Sequence, residues 1–244
     1  MYREWAPDPP LNARVACVWV NEAVSSATEP VVPDGCVDLI WGPYGPHVAG
    51  PDTGPQPVPM VPGDRYIGIR FRPGGVGEVF GVPVESLRDL RVPLSDLDGV
   101  PELAPLTRLP ERTDATEPSE SVAAEMQRAL AARLRVTSAA DPSAAAVVAS
   151  LRAGRNVAEV ARDLGIGERQ LRRRSLRAFG YGPKTLQRVV RFQLALRLAR
   201  RGVAAAEVAL ASGYADQAHM ANEVRRLAGV PLGRLVGRPD DEIS

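Results

Sequence analysis

The sequence predicts an α+β protein in two parts: a β-rich N-terminal domain, then an all-α domain holding two helix-turn-helix units. Three observations carry that expectation. Short β-branched and aromatic runs crowd the first hundred residues, an internal repeat occupies the last hundred, and charge is divided unevenly between them. Residues 1–140 hold 12 Lys+Arg against 19 Asp+Glu, whereas residues 141–244 hold 18 against 10. The net charge of +1 therefore conceals an acidic half joined to a basic one. Two solvated surfaces of differing composition would give the same figures, but such asymmetry points to a nucleic-acid-facing region attached to a region with another task.

In chain order, "VACVWV" (15–20), "CVDLIWG" (36–42) and "RYIGIRF" (65–71) read as strands bounded by the turn signals "VPDG", "GPYGP" and "VPGD". Residues 74–90 allow one or two short helices. Residues 101–120 are polar and punctuated by proline, which suits a linker, and "SESVAAEMQRALAARLRV" (119–136) has the spacing of an amphipathic helix. These features divide the chain into a regulatory domain over 1–115, a linker helix over 116–140 and a helical domain over 141–244.

The repeat defines the helical domain. "AEVARDLG" (158–165) aligns with "AEVALASG" (206–213) at an offset of 48, whereas Gly180 aligns with Gly229 at 49, so one residue is inserted in the second copy between its glycines. Each copy reads helix, glycine turn, helix, glycine stop. That is the order of a helix-turn-helix, in which the second helix is presented outward.

The outward faces carry the chemistry. With Leu171 turned inward, Ser175 and Ala178 follow it, leaving Arg169, Arg173 and Arg177 on the opposite face, flanked by Gln170 and Arg172. Five arginines within nine positions repel one another. A solvated face would interleave glutamates, but Glu168 is the only acid of this helix and lies in its first turn, where the helix dipole favours it. A DNA major groove supplies the missing countercharge in its phosphates and guanine acceptors. In the second copy Met220, Val224 and Leu227 turn inward, and Gln217, Ala218, His219, Asn222 and Arg226 outward. Gln and Asn pair bidentately with adenine and alanine touches a thymine methyl, so this face reads bases more than it gathers charge. Between the copies, residues 183–202 form a connector helix opened by Pro183, where Lys184 and Thr185 suit a backbone phosphate.

On the passages "VAEVARDLGIGERQLRRR", "RVVRFQLALRLAR" and "AEVALASGYADQAHMANEVRRLAGVPLGRL", residues 145–238 resemble the tandem helix-turn-helix domain of AraC/XylS-type transcriptional regulators. The resemblance implies double-stranded DNA as partner, with the two reading helices in successive major grooves. It implies Arg169, Arg172, Arg173, Gln217, His219, Ala221 and Asn222 as base-reading residues. RNA polymerase and a second copy of the chain are further expected partners. Ser175, Met220 and Val224 stand where the family usually has aromatics. Through "PDGCVDLIWG" (33–42) and "GIRFRPGG" (68–75) the N-terminal part is similar to the domain preceding this module in actinobacterial regulators. The better-known members have a cupin-like β-barrel there that binds a small effector, although residues 11–100 are short for a full barrel. Trp19, Asp38, Trp41, Arg70 and Arg72 are the candidate effector-binding residues; aromatic core plus a structural Asp–Arg pair is the plainer reading of the same residues.

Other classes are poorly supplied. Two histidines, His47 and His219, fall in different halves, and the two cysteines fit neither a zinc template nor a disulfide framework. No catalytic residue, metal or cofactor is expected. Cys36 offers one opening for a Cys-dependent DNA-repair methyltransferase, and a non-specific architectural DNA-binding protein is the other rival. The N-terminus lacks a signal pattern and no apolar run reaches membrane length, so a cytoplasmic location away from the membrane is the expectation.

Overall fold

The computed structural model describes residues 1–109 and 119–236. The 115/116 boundary and the second part of the polar stretch, residues 110–118, therefore lie outside the described residues. Eight strands build the N-terminal region: β1 (Tyr2–Trp5), β2 (Val15–Glu22), β3 (Ala27–Val31), β4 (Asp38–Trp41), β5 (His47–Ala49), β6 (Gln56–Met60), β7 (Arg65–Phe71) and β8 (Arg91–Pro93). Six form an antiparallel sheet in the order β1-β2-β7-β4-β5-β8, and β3 pairs with β6 as a separate ribbon. With β1 and β8 as its edges, the sheet is open and not a barrel.

Alternation along the strands gives the sheet two faces. On one, Val18, Val20, Leu39, Trp41, Ile67, Ile69 and Phe71 build the main core. Helix α1 (Ser119–Val136) closes that core with Val122, Ala123, Met126, Ala129 and Leu130, so the segment expected as a linker helix shares the sheet's interior. Its Arg133 donates to the Val79 carbonyl (2.8 Å) and pairs with Glu102 (3.0 Å). The proline-punctuated residues before it are likewise packed: Leu103 and Leu106 are fully buried at a 3-10 turn, Ala104–Arg108. On the sheet's other face Cys17, Trp19 and Tyr66 meet Met60 of the ribbon. Trp19 lies so flat on β7 that a Cβ on Gly68 would come within 2.2 Å of its ring, which only glycine allows.

Seven helices follow: α2 (Ser143–Arg152), α3 (Val157–Asp163), α4 (Glu168–Phe179), α5 (Pro183–Arg200), α6 (Ala205–Ala211), α7 (Gln217–Ala228) and α8 (Leu232–Val236). They enclose two cores, and α5 feeds both. Leu186 and Val189 join the first with Leu171 and Phe179; Phe192, Ala195 and Leu196 join the second with Met220 and Val224. One rigid helix thereby fixes the two units relative to each other. Among the described residues no helix is long and apolar enough to cross a membrane.

Candidate nucleic-acid interface

Helices α3 and α4 form the first helix-turn-helix, α6 and α7 the second. The extra residue of the second copy falls in its turn, which runs over 212–216 where the first runs over 164–167. Asn156 opens α3 with a capping box, accepting from the Glu159 N–H while Glu159 accepts from the Asn156 N–H. Asp216 opens α7 by accepting from the His219 N–H at 2.7 Å. Both α4 and α7 end on a left-handed glycine, Gly180 and Gly229.

On α4 the inward face is Leu171, Ser175, Ala178 and Phe179, all buried. Arg169, Arg172, Arg173 and Arg177 are exposed and Gln170 is half-buried. None of these arginines pairs with a carboxylate among the described residues, whereas Arg174, turned to the flank, donates to Ser143 Oγ at 3.4 Å. The ridge thus keeps its charge unneutralised, ready for a polyanion. Ser175 is fully buried, and the aromatic side chains of this core are Phe179 and Tyr181. Tyr214 shares the second core with Met220 and Val224.

On α7, Gln217, Ala218, His219 and Asn222 are exposed. Ala221 is half-buried and, with Gln217, borders an open hollow of about 420 Å³ between α5, α6, α7 and α8. His219 is less free than its exposure implies. Its ring stands edge-on to Tyr214 with centroids 5.4 Å apart, and its Nδ1 accepts the Ala215 N–H at 3.4 Å. Only Nε2 is then left to face outward. Lys184 is exposed in the first turn of α5, one residue after Pro183 at N1.

The N-terminal candidates divide. Arg70 grips Asp38 with Nε (3.1 Å) and Nη2 (3.1 Å), lies 3.7 Å from Asp34, and sits over the Trp19 ring at 6.0 Å. Burial alone would lower the Arg70 pKa, but Asp38 and then Asp34 outweigh it and hold it well above the ordinary value. Trp41 points through the opposite face into the main core, and Arg72 lies past the end of β7, exposed, donating to the Asn12 carbonyl. Cys36 is buried, and burial followed by Asp34 pushes its thiol up, the reverse of what a nucleophilic cysteine needs.

Composition gave no sign of how the two regions join. Phe179 packs on Gly74, and Arg88 Nη1 donates to the Gly180 carbonyl at 3.3 Å. A Cβ on Gly180 would lie 2.7 Å from Pro51, so the left-handed cap also admits the neighbouring domain. Tyr181 reaches over Gly35 and Pro73, and Gln193 Nε2 donates to the Pro33 carbonyl at 2.7 Å. The segments "PDGC" and "RPGG" are therefore docking surfaces for the end of the first reading helix.

Two outward helices, each held by a glycine turn on a shared connector, define a tandem helix-turn-helix DNA-binding protein. Residues 160–238 match the family described as a helix-turn-helix domain, and residues 3–93 match a domain family of unknown function. The C-terminal region is an AraC-type helix-turn-helix domain. No curated protein matches the chain. Solved structures of ToxT from Vibrio cholerae are similar over most of the chain. A ligand-free lysine-to-alanine variant aligns at TM-score 0.48 and 12% identity, covering 90% of this chain and 96% of its own. A second crystal form aligns at 0.47 and 9%, covering 96% and 97%, and ToxT with a bound unsaturated fatty acid at 0.44 and 10%, covering 90% and 93%.

Proposed function

We propose that the chain reads a specific DNA sequence through two successive major grooves and that a small molecule at its N-terminal domain modulates the binding. The observation that carries the DNA reading is the unpaired ridge Arg169, Arg172, Arg173 and Arg177 on a helix whose opposite face is fully packed. In this reading the arginines contact phosphates and guanines, with Gln170 beside them and Lys184 on the backbone. Gln217, Ala218, His219 and Asn222 read the second groove, with Ala221 at its margin. A purely architectural protein would have no use for this second, mostly uncharged face. Selection of bound duplexes from a random pool tests the proposal: a two-part consensus supports it, and enrichment of no sequence overturns it.

Supporting the effector reading is the grip of the N-terminal region on the end of α4, through which a change in the sheet reaches the first reading helix. Trp19, Asp38 and Arg70 are the effector candidates the structure brings together. Trp41 and Arg72 would act from elsewhere. RNA polymerase and a second copy of the chain are the protein partners of this reading. Thermal shift of the full chain against a metabolite panel, with sedimentation for mass, checks both. Absence of any stabilising compound would remove the effector.

A further inference from the structure

At the junction of the two regions, a small cavity of about 20 Å³ opens between Asp34, in the loop between β3 and β4, and helices α2 and α5, which contribute Arg152, Gln193, Arg197 and Arg200. Its floor is apolar, with Val190 and Leu196. Arg197 and Arg200 are half-buried, and neither their guanidinium groups nor that of Arg152 make a hydrogen bond or ion pair with any described residue. The Nε of Arg200 is buried with no acceptor. Burial, and after it the charges of Arg152 and Arg201, lower the Arg197 pKa, so the cluster is unfavourable for the protein alone. By contrast the partly buried Arg70, Arg91, Arg133 and Arg188 all meet carboxylates, although half-buried Arg191 of α5 does not.

We propose that this junction binds a small-molecule dianion, a phosphate-type oxyanion head held by Arg152, Arg197 and Arg200. Three guanidinium groups against one carboxylate leave the lining at +2, the complement of a phosphate monoester. Asp34 opposes an anion, but its charge is already engaged by Arg70 at 3.7 Å and by the Cys36 N–H at 2.8 Å. A cavity of this size admits about one water-sized group, so one oxyanion oxygen enters while the body of the ligand stays outside. Walled by both domains, the cavity takes a free small molecule and not a DNA backbone. Gln193 ties the same wall to the Pro33 carbonyl, so the bound head would reinforce the junction.

The inference narrows the effector reading and rests on it for its role. Binding is measured without DNA, so its failure leaves the DNA reading intact. Calorimetric titration of the full chain with inorganic phosphate, at constant ionic strength, should show one saturable site, with acetate binding more weakly. Arg197→Ala and Arg200→Ala should each weaken it by roughly tenfold or more, the size of one lost charge-assisted hydrogen bond. Arg197→Lys should fall between, and Arg128→Ala, at an exposed position of α1, should change nothing. Should the α5 variants fail to fold by circular dichroism, exposed Arg152→Ala tests the same site, with the same loss of phosphate affinity expected. Non-saturable stabilisation, the mark of a general salt effect, would overturn the site, as would binding indifferent to the arginines. Displacement of phosphate by duplex DNA would assign the cluster to the DNA surface and overturn it too.

Discussion

Arg188 on the connector helix pairs with Glu223 on the second reading helix at 2.7 Å, one position from the exposed Asn222. The pair joins α7 to the connector on the flank next to Asn222, where it is placed to fix the rotation of α7 about its axis. Glu223→Gln removes an acid beside DNA, so on electrostatics alone it tightens binding to every sequence. If the pair orients the helix, discrimination in the second half-site should fall while affinity for random DNA holds or rises. Being partly exposed, the pair should contribute no more than about 1 kcal/mol to stability. Competition assays with single-base variants of the site decide: undiminished discrimination would remove the orienting role.

The two reading helices should answer differently to salt. Arg173→Ala takes a cation from the ridge. If that arginine neutralises one phosphate, the log–log salt slope should drop by about 0.9. If it forks onto guanine, the slope should hold and one base position should lose roughly 1–3 kcal/mol of preference. Asn222→Ala takes no charge and should relax one position of the second half-site at unchanged slope. An Asn222→Ala protein that binds every sequence as the parent does would show that the second helix does not read bases through this face.

Placing α1 in the sheet's core makes a prediction about fragments. A chain ending at residue 109 lacks Val122, Met126 and Leu130 and exposes the main core, so it should not fold, whereas one ending at residue 140 should. In the full chain Leu130→Ala should cost roughly 2–5 kcal/mol. Denaturant titration of the two fragments and the variant measures this. Cooperative unfolding of the shorter fragment would show that α1 is dispensable.

Periodicity made the helices legible, and "VACVWV" and "RYIGIRF" announced β2 and β7, because their patterns answer to burial on one or both faces. Strands such as "QPVPM" and "ATEPV" were not legible. Proline removes ladder donors and lowers strand propensity, and these strands exist because each supplies the other's edge. Alternation could have separated the effector candidates, since Trp41 shares parity with Leu39 and not with Asp38. The ridge Arg169, Arg173 and Arg177 was visible from spacing alone. Ala221 was not, because it is half-buried beside the hollow between α7 and its neighbours, a tertiary position that no local pattern encodes. The docking role of "PDGC" and "RPGG" is likewise a tertiary fact, made by residues more than a hundred positions away.

Tyr181 carries the last prediction. Its ring is buried at the junction, and its hydroxyl has no hydrogen-bond partner among the described residues. Burial, then the nearby Asp34 carboxylate, holds its phenol well above the ordinary range, so it stays neutral and uncompensated. Burying an unpaired hydroxyl costs roughly 1–3 kcal/mol. Tyr181→Phe should therefore stabilise the chain, by about 1 kcal/mol after relaxation, instead of weakening it as most core changes do. A tighter junction holds the end of α4 more firmly against the N-terminal region, so the same variant should bind DNA with altered affinity in its first half-site and leave the second untouched. Tyr181→Ala, which empties the space over Gly35 and Pro73, should destabilise by roughly 3–5 kcal/mol. Thermal melts and half-site binding of both variants check the pair. A Tyr181→Phe protein less stable than the parent would mean that the hydroxyl has a partner in solution and that the junction is held through it.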